Sequence, residues 1–319
     1  MPRLVDGAEE QDDTPPPLAA LLARRWDHDA ADTTCAMHAW QPQVVVVDHY
    51  GIDARWHCAV RTATGARIAV IDDLADRPLA ADLLIDQNPS PDHAAKYRAV
   101  LRYAAPICGG PAHALLDAAF SAQDHCRIEP VLQSIGIFMG GTDPDNFSAF
   151  AVRACREHAG WTGPIQIATT SAHPALATLR TLQVSDPQLD IVVDQPNLAA
   201  FHAAHGLQIG AGGGAMWERC SLGTPTIALI TADNQRQSIP LVAAAGAVLG
   251  LDAMGQGDAL CRELGVLIRR LIDSRAERQA LHERALALVD GRGAERVATA
   301  VLACGRHAAA REPEAAWLP

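Results

Sequence analysis

The sequence of 319 residues is 49% hydrophobic and 20% charged, a balance typical of a globular chain with room for roughly two domains. That balance excludes wholesale disorder, and a net charge of −11 supplies no electrostatic footprint for nucleic acid. The acidic, proline-rich start lacks the apolar region of a secretory signal, and no apolar run reaches the ~20 residues of a membrane span. We therefore expect a soluble, cytoplasmic protein that binds neither nucleic acid nor membrane.

The eight cysteines are scattered, without C-x-x-C pairs and without the spacing to histidine that a zinc site requires. None of the thirteen histidines forms an H-E-x-x-H pair. We therefore predict buried or incidental thiols in a reducing compartment, with no metal and no cofactor.

Apolar runs alternate with helical patterns through the first half of the chain. An alanine-rich stretch predicts a helix, and a four-valine run predicts a buried parallel strand. In chain order, the predicted elements are a polar lead-in at 1–17, a helix at 18–40, a strand at 44–47, a helix at 53–62, and strands at 67–71 and 83–85. Each strand ends in polar residues, which is typical of the carboxyl edge of a parallel sheet.

The second half shows the same alternation more clearly, which predicts a doubly wound parallel sheet. The predicted strands are 134–139, 165–168, 191–193, 207–209 and 226–230. The predicted helices are 146–157, 175–183, 196–203, 215–222, 257–272, 275–289 and 292–303, followed by a frayed tail at 312–319. We place the boundary between two βα systems, which gives an amino-terminal domain at 1–127 and a carboxyl-terminal domain at 128–319.

The strongest chemical signal is the turn GAGGGAMWE at 210–218, which follows a predicted strand and opens a predicted helix. Gly212, Gly213 and Gly214 let the backbone approach a ligand closely, and the helix start offers free N–H groups with a partial positive charge. This combination predicts a phosphate site. A tight strand–helix turn without any ligand is the plainer alternative.

The same stretch fits G-x-G-x-x-G/A, with Asp233 some twenty residues further on, so a nicotinamide-dinucleotide site is a second alternative. Two features count against it. The helix is stopped at 223–225 after about two turns, and the unit lies last in its domain, whereas the dinucleotide motif usually opens one. The sequence has no G-K-[ST], which excludes a P-loop.

A second glycine turn contains Gly140, Gly141 and Thr142 and follows the first strand of the second half. Asp145 or Asn146 is placed to cap the next helix, and capping alone would explain these polar residues. Two glycine turns at one sheet edge, however, are what a diphosphate held between two loops requires.

Two further positions carry polar groups at strand ends. Asn234 and Gln235 follow a strand, and their amides suit sugar hydroxyls and acetamido groups, although capping of the helix near Gln237 is an even alternative. Tyr50 follows the valine run beside His49, and a lone histidine there is expected to be structural.

Seven motifs in fixed order resemble those of one family. They are VVVVDHYGIDARW (44–56), VIDDLADRP (70–78), DLLIDQNP (82–89), GGTDPDN (140–146), GAGGGAMWERCSLGTP (210–225), ADNQ (232–235) and LVDGRGAERVA (288–298). Over residues 18–302 the chain resembles UDP-2,4-diacetamido-2,4,6-trideoxy-β-L-altropyranose hydrolase. Its carboxyl half is also similar to the peptidoglycan N-acetylglucosaminyltransferase. The resemblance implies an α/β fold of the GT-B type, with two doubly wound Rossmann-like domains and UDP bound in the second.

The resemblance also implies a metal-independent hydrolysis. Water attacks the anomeric carbon, UDP leaves, and the free sugar passes on towards pseudaminic acid, a nonulosonate of bacterial surfaces and flagella. By position, the matching residues are Tyr50 facing the sugar, Asn234 in the active site, Gln235 as a sugar contact, Glu218 at the ribose hydroxyls, and Gly140, Gly141, Thr142, Gly212, Gly213 and Gly214 around the diphosphate. A monomer whose partner is a UDP-sugar is expected.

The chain departs from the family pattern at three places. The family opens with a strand and a G-x-G-H loop whose histidine is the proposed base for water, and this sequence has no such loop, so the first domain is expected to be incomplete. The family's GPRYALL reads GPAHALL at 110–116, and the glycine turn ends in Gly214 where a hydroxyl residue is usual.

Three explanations of the missing loop stay open. Codons upstream of Met1 encode it, or the chain is a degenerate copy that only binds the nucleotide sugar, or His49 or His113 substitutes. We expect the first. The functional alternatives are a GT-B UDP-sugar glycosyltransferase, which needs an acceptor, and a non-catalytic nucleotide-sugar binder. The D-H-Y and D-D-L-A-D-R motifs favour the hydrolase because they belong to that family and not to the transferases.

Overall fold

The structure is a computed structural model that describes residues 24–306. Two parallel sheets follow one another along the chain, each with helices packed on it. The predicted lead-in at 1–17, the start of the helix predicted at 18–40 and the tail predicted at 312–319 lie outside the described residues.

The first sheet has four parallel strands in the order β1-β2-β3-β4. Its strands are β1 (Val44–Val47), β2 (Arg67–Ile71), β3 (Leu83–Asp86) and β4 (Ile107–Gly109). Its helices are α1 (Trp26–Met37), α2 (Ala54–Thr64) and α3 (His93–Tyr97), followed by a 3-10 turn at Pro111–His113 and by α4 (Ala118–Ala122), whose Phe120 packs with Ala199 and Leu222 of the second half of the chain. The three predicted strands are confirmed, and β4 is an addition that the sequence pattern did not indicate. Asp53 begins α2 by accepting a hydrogen bond from the Arg55 amide.

The prediction that the valine run is a buried strand is wrong for most of its length. Only Val47 is buried, and Val46 is 50% exposed. The physical reason is the position of β1, which among residues 24–306 pairs with β2 on one side and has its other edge open.

The second sheet has six parallel strands in the order β10-β9-β8-β5-β6-β7. Its strands are β5 (Ile135–Phe138), β6 (Ile165–Thr169), β7 (Leu189–Val193), β8 (Leu207–Ala211), β9 (Thr226–Ile230) and β10 (Leu249–Asp252). Its helices are α5 (Phe147–Arg153, continued by a π-helical turn at Ala154–His158), α6 (Leu176–Ser185), α7 (Ala199–Ala204), α8 (Gly214–Ser221), α9 (Ser238–Ala244), α10 (Asp258–Asp273) and α11 (Arg275–Leu288). The five predicted strands and the helices between them are confirmed, and β10 is an addition.

The last described helix, α12 (Gly293–Arg306), returns to the first sheet. Val297 packs in one apolar cluster with Ala69, Leu83 and Ile85 of β2 and β3. The chain therefore passes between the two sheets twice, once after β4 and again before α12. In the part of the chain that the structure describes, no helix is both long and apolar enough to cross a membrane.

Two histidines are held neutral in the interior. His205 Nδ1 lies 2.8 Å from the Ser134 hydroxyl, and its Nε2 lies 3.2 Å from Gln166 Oε1. The Ala80 amide donates to His57 Nδ1. Burial lowers the pKa of both imidazoles from 6.5 to about 4.

We expect the protein to lose stability as the pH falls from about 6.5 to about 4. In the unfolded chain these histidines take up protons near pH 6.5, whereas in the folded chain they resist until about pH 4. The unfolded state thus binds more protons, which lowers the free energy of unfolding by on the order of 1–2 kcal/mol per histidine between pH 7 and pH 5. Urea unfolding at both pH values measures the loss. In His205→Gln the part of the loss that comes from His205 should vanish, and an unchanged pH dependence would contradict the assignment.

Candidate functional site

The two predicted glycine turns lie side by side at the switch point of the second sheet. Strands β6 and β7 lie on one side of β5, and β8 lies on its other side. The order of the strands therefore reverses between β5 and β8. The register pairs Phe138 with Gly210, so both strands end at the same level, and one turn follows each. Ligands of open α/β sheets bind in the crevice outside such a switch point.

The turn after β8 presents an open helix start. Gly213 is the N-cap of α8, in extended conformation, and no side chain caps that end. A Cβ added at Gly213 or Gly214 would meet nothing within 4 Å, whereas one at Gly212 would lie 2.6 Å from Ile239 Cγ1. The first N–H groups of α8 are therefore accessible to an anion, and the helix dipole favours one there.

The turn after β5 differs, because the protein's own carboxylate occupies the helix start. Asp143 is buried and accepts hydrogen bonds of 2.8 Å from the amides of Phe147 and Ser148. Asn146 is the N-cap of α5, as one of the two predicted alternatives has it. This turn thus offers a ligand the backbone of Gly140–Thr142, where Gly140 has a φ of 94°, together with the exposed side chain of Thr142.

The loop after β9 lies against the turn after β8. Gln235 Oε1 accepts a 2.9 Å hydrogen bond from the Thr231 amide and lies 3.7 Å from the position of a Cβ on Gly212. Asn234 is exposed, in a 3-10 turn. The alternative that these residues cap the next helix is wrong, because α9 begins after Gln237 without any side-chain cap.

Glu218 stands on α8 four residues after Gly214, so both residues face the same side of the helix. Its side chain is 26% exposed, and its Oε2 lies 3.3 Å from Nε2 of the fully buried His202. Burial lowers the pKa of His202, and its Nδ1 is 3.1 Å from Gln208 Oε1. Sequence reasoning missed His202, since nothing in its local pattern marks it.

Tyr50 belongs to a hydrogen-bonded group at the carboxyl edge of the first sheet. Its hydroxyl donates to Asp73 Oδ1 at 2.8 Å, and Asn88 Nδ2 donates to Asp73 Oδ2 at 3.0 Å. Burial and the bond to Asp73 raise the pKa of the Tyr50 phenol, so the hydroxyl keeps its proton at neutral pH. Because the residue is 51% exposed, the phenol is accessible to a ligand.

The ion pair of Lys96 with Asp86 is connected to this group through Asp73. Asp86 is fully buried and accepts a 2.7 Å hydrogen bond from Lys96 Nζ and a 3.1 Å bond from the Tyr97 hydroxyl. Lys96 Nζ also donates to the backbone oxygen of Asp73 at 2.8 Å. Sequence reasoning missed Lys96, because its pairing depends on how α3 packs against the first sheet.

The two histidines considered as substitutes for the missing loop are both engaged by nearby backbone. His49 Nδ1 accepts a 2.9 Å hydrogen bond from the Gly51 amide, and His113 Nδ1 lies 2.8 Å from the Gly109 carbonyl oxygen. Each ring therefore has one nitrogen fixed by local structure, which fits the structural role expected for His49.

The segment after β4 brings the edge of the first sheet to α8. The Leu115 amide donates to Gln87 Oε1 at 3.1 Å, beyond the end of β3. Ala114 is buried in one apolar cluster with Met216 and Trp217 of α8. The polar edge of the first sheet and the glycine turns of the second are thus joined by a continuous packed segment.

Two wound parallel sheets, with polar loops at their carboxyl edges and a final helix returning to the first sheet, define an α/β fold of the GT-B type. Solved structures confirm this fold. The chain is similar to Phytolacca americana UGT2 complexed with UDP-2fluoro-glucose and pterostilbene (TM-score 0.59, 12% identity, 95% of this chain and 85% of that one). It is also similar to MurG of Acinetobacter baumannii (TM-score 0.55, 12% identity, 88% and 79%).

No family model matches the chain. In sequence it resembles the spore coat polysaccharide biosynthesis protein SpsG of Bacillus subtilis, at 27% identity over 61% of this chain and 58% of that protein. It also resembles the UDP-2,4-diacetamido-2,4,6-trideoxy-β-L-altropyranose hydrolase of Campylobacter jejuni, at 26% identity over 49% of this chain and 55% of that protein. The matched regions thus span little more than half of either relative.

Proposed function

We propose that this protein is an enzyme acting on nucleotide sugars, and specifically that it hydrolyses UDP-2,4-diacetamido-2,4,6-trideoxy-β-L-altropyranose at the anomeric carbon. One observation carries the proposal: the uncapped start of α8 lies at the switch point of the second sheet, with Glu218 one helical turn behind it. A diphosphate at the helix start would place the ribose within reach of that carboxylate. The curated relative with the same activity supports the choice of substrate.

In the proposed reaction the bond between the anomeric carbon and the UDP oxygen breaks, the oxygen of water forms the new bond, and the water loses one proton to the solvent. The N–H groups of α8 and the turn at Gly212–Gly214 would stabilise the negative charge that develops on the leaving diphosphate. Asn234 and Gln235 would contact the sugar, as would the Tyr50 phenol, which Asp73 holds in place. UDP binding thus depends on the second sheet, whereas turnover requires groups from both sheets.

Incubation with the UDP-diacetamido sugar tests the proposal against its alternatives. Release of UDP without an added acceptor supports the hydrolase. Release only when an acceptor is present supports a glycosyltransferase, and binding without release supports a nucleotide-sugar binder. If calorimetry shows no heat and thermal unfolding no shift with UDP, the nucleotide site itself does not exist.

Tyr50→Phe should reduce turnover by roughly tenfold or more and leave UDP affinity unchanged, because it removes a hydroxyl oxygen that donates its proton to Asp73 and can accept a hydrogen bond from the sugar. Steady-state kinetics and a UDP titration measure the two effects. Tyr103→Phe is the matched control. It also removes one tyrosine hydroxyl, but that hydroxyl contacts Arg61 and not Asp73 of the candidate site. Equal turnover in both variants would make Tyr50 a packing residue.

A further inference from the structure

Arg219 is a buried cation with most of its hydrogen-bonding capacity unused. The side chain is fully buried, and its Nη2 donates to the Ala211 backbone oxygen at 2.6 Å. Its Nε and Nη1 have no hydrogen-bond partner anywhere in residues 24–306, and within that range no carboxylate forms an ion pair with it. Buried charges in proteins are ordinarily paired, so this arrangement needs an explanation.

The guanidinium lies beneath the switch point. A Cβ placed on Gly210 would be 2.5 Å from Arg219 Nη1 and 2.6 Å from the Phe138 backbone oxygen, so the charge sits where β5 and β8 end. The glycine turns begin directly after these two positions. Although burial lowers the pKa of Arg219 to about 10, the group remains protonated at neutral pH.

A second fully buried arginine shows what a purely structural guanidinium does in this protein. Arg278 donates to four backbone oxygens, those of Leu271, Ile272, Glu129 and Pro130, at 2.6 to 3.3 Å. Arg219 has one such bond. The contrast indicates that backbone oxygens do not balance the charge of Arg219, and the neighbouring Glu218 carboxylate acts on it only from beyond ion-pair distance.

We infer that Arg219 is a positioning residue for a pyrophosphate group, fixing the Gly212–Gly214 turn through Ala211 and supplying the positive charge beneath it. The inference rests on the nucleotide-diphosphate site of the proposed function and adds the source of its charge. At short range and away from water, such a charge acts strongly on an anion held over the turn.

Arg219→Met tests the inference with three probes: UDP, uridine and inorganic pyrophosphate. Methionine keeps an unbranched apolar stem, and removal of an unbalanced buried charge leaves the stability of the ligand-free protein unchanged or higher. We expect the Kd for UDP and for pyrophosphate to rise by roughly tenfold or more, while the Kd for uridine stays the same. Equal weakening of UDP and uridine, or no change in either, would overturn the inference.

Arg278→Met is the matched control, and it should lower stability without changing the ratio of UDP to uridine affinity. If Arg219→Met does not fold, Arg219→Lys tests whether a positive charge at this position favours binding of the pyrophosphate group. A lysine retains the charge, so a folded Arg219→Lys should keep most of the preference for UDP over uridine, and complete loss of that preference would refute the role of the charge.

The same measurements separate this inference from the proposed function. Unaltered UDP binding in Arg219→Met rejects the inference and leaves the function standing. A native protein that binds pyrophosphate but not UDP rejects the function, and the Arg219 variants are then compared with pyrophosphate alone. A native protein that binds neither ligand rejects both.

Discussion

Glu218→Gln should weaken UDP binding by roughly 1–3 kcal/mol, which is about a tenfold to hundredfold rise in Kd. The substitution preserves the size of the side chain but removes the charge that would accept hydrogen bonds from two ribose hydroxyls. Stability should change little, because the carboxylate is partly exposed and its contact with His202 is 3.3 Å long. Isothermal titration with UDP measures the effect.

A deoxyribose ligand shows whether the ribose is what Glu218 recognises. The native protein should bind UDP more tightly than 2′-deoxy-UDP, and in Glu218→Gln that difference should shrink. Glu263→Gln, the same substitution at an exposed position on α10, should leave both affinities as they are. A variant at Glu218 that still discriminates fully between the two nucleotides would remove this residue from the site.

Gly293→Ala should lower the free energy of unfolding by about 2–3 kcal/mol, the largest stability effect that we expect from a single methyl group in this chain. Gly293 begins α12, and a Cβ there would lie 2.5 Å from the Ala114 backbone nitrogen and 2.6 Å from the His113 carbonyl carbon. Because these are backbone atoms, the clash is relieved only by moving α12 away from the segment after β4. Urea unfolding measures the loss.

Gly257→Ala is the matched control for this substitution. Gly257 precedes α10 with a φ of −65°, and an added Cβ would meet nothing within 4 Å. The control should change stability by less than about 1 kcal/mol. If both variants are equally stable, the close approach of α12 to the first domain is not rigid in solution.

The central elements of the fold were predictable because their signals are local. The strands at Arg67–Ile71 and Thr226–Ile230 are apolar runs of β-branched and aliphatic residues closed by polar ones, and the structure has them within the predicted bounds. Strands β4 and β10 were missed because each contains only two apolar residues, within three and four positions. Their extended conformation depends on pairing with a neighbouring strand, which the local sequence does not encode.

In the candidate site, too, the residues with a local sequence signal were predictable and those that depend on tertiary packing were not. The turn at Gly212–Gly214 was predictable, since glycine before a helix start is a local pattern with a physical meaning. The role of Asp143, which occupies the start of α5, was not, because Asp145 and Asn146 fit a capping pattern equally well. Arg219 was missed for a stronger reason: arginine is usually exposed, and only the packing of α8 on β5 and β8 buries it.

The return of α12 limits how the first sheet and its helices can rotate relative to the second sheet and its helices. Two bodies joined by a single chain crossing can rotate about several axes. Here the chain crosses between the two sheets twice, after β4 and before α12, and two crossings leave one main axis of rotation. A ligand that contacts both sheets would therefore lose less orientational freedom on binding than it would between two bodies joined only once.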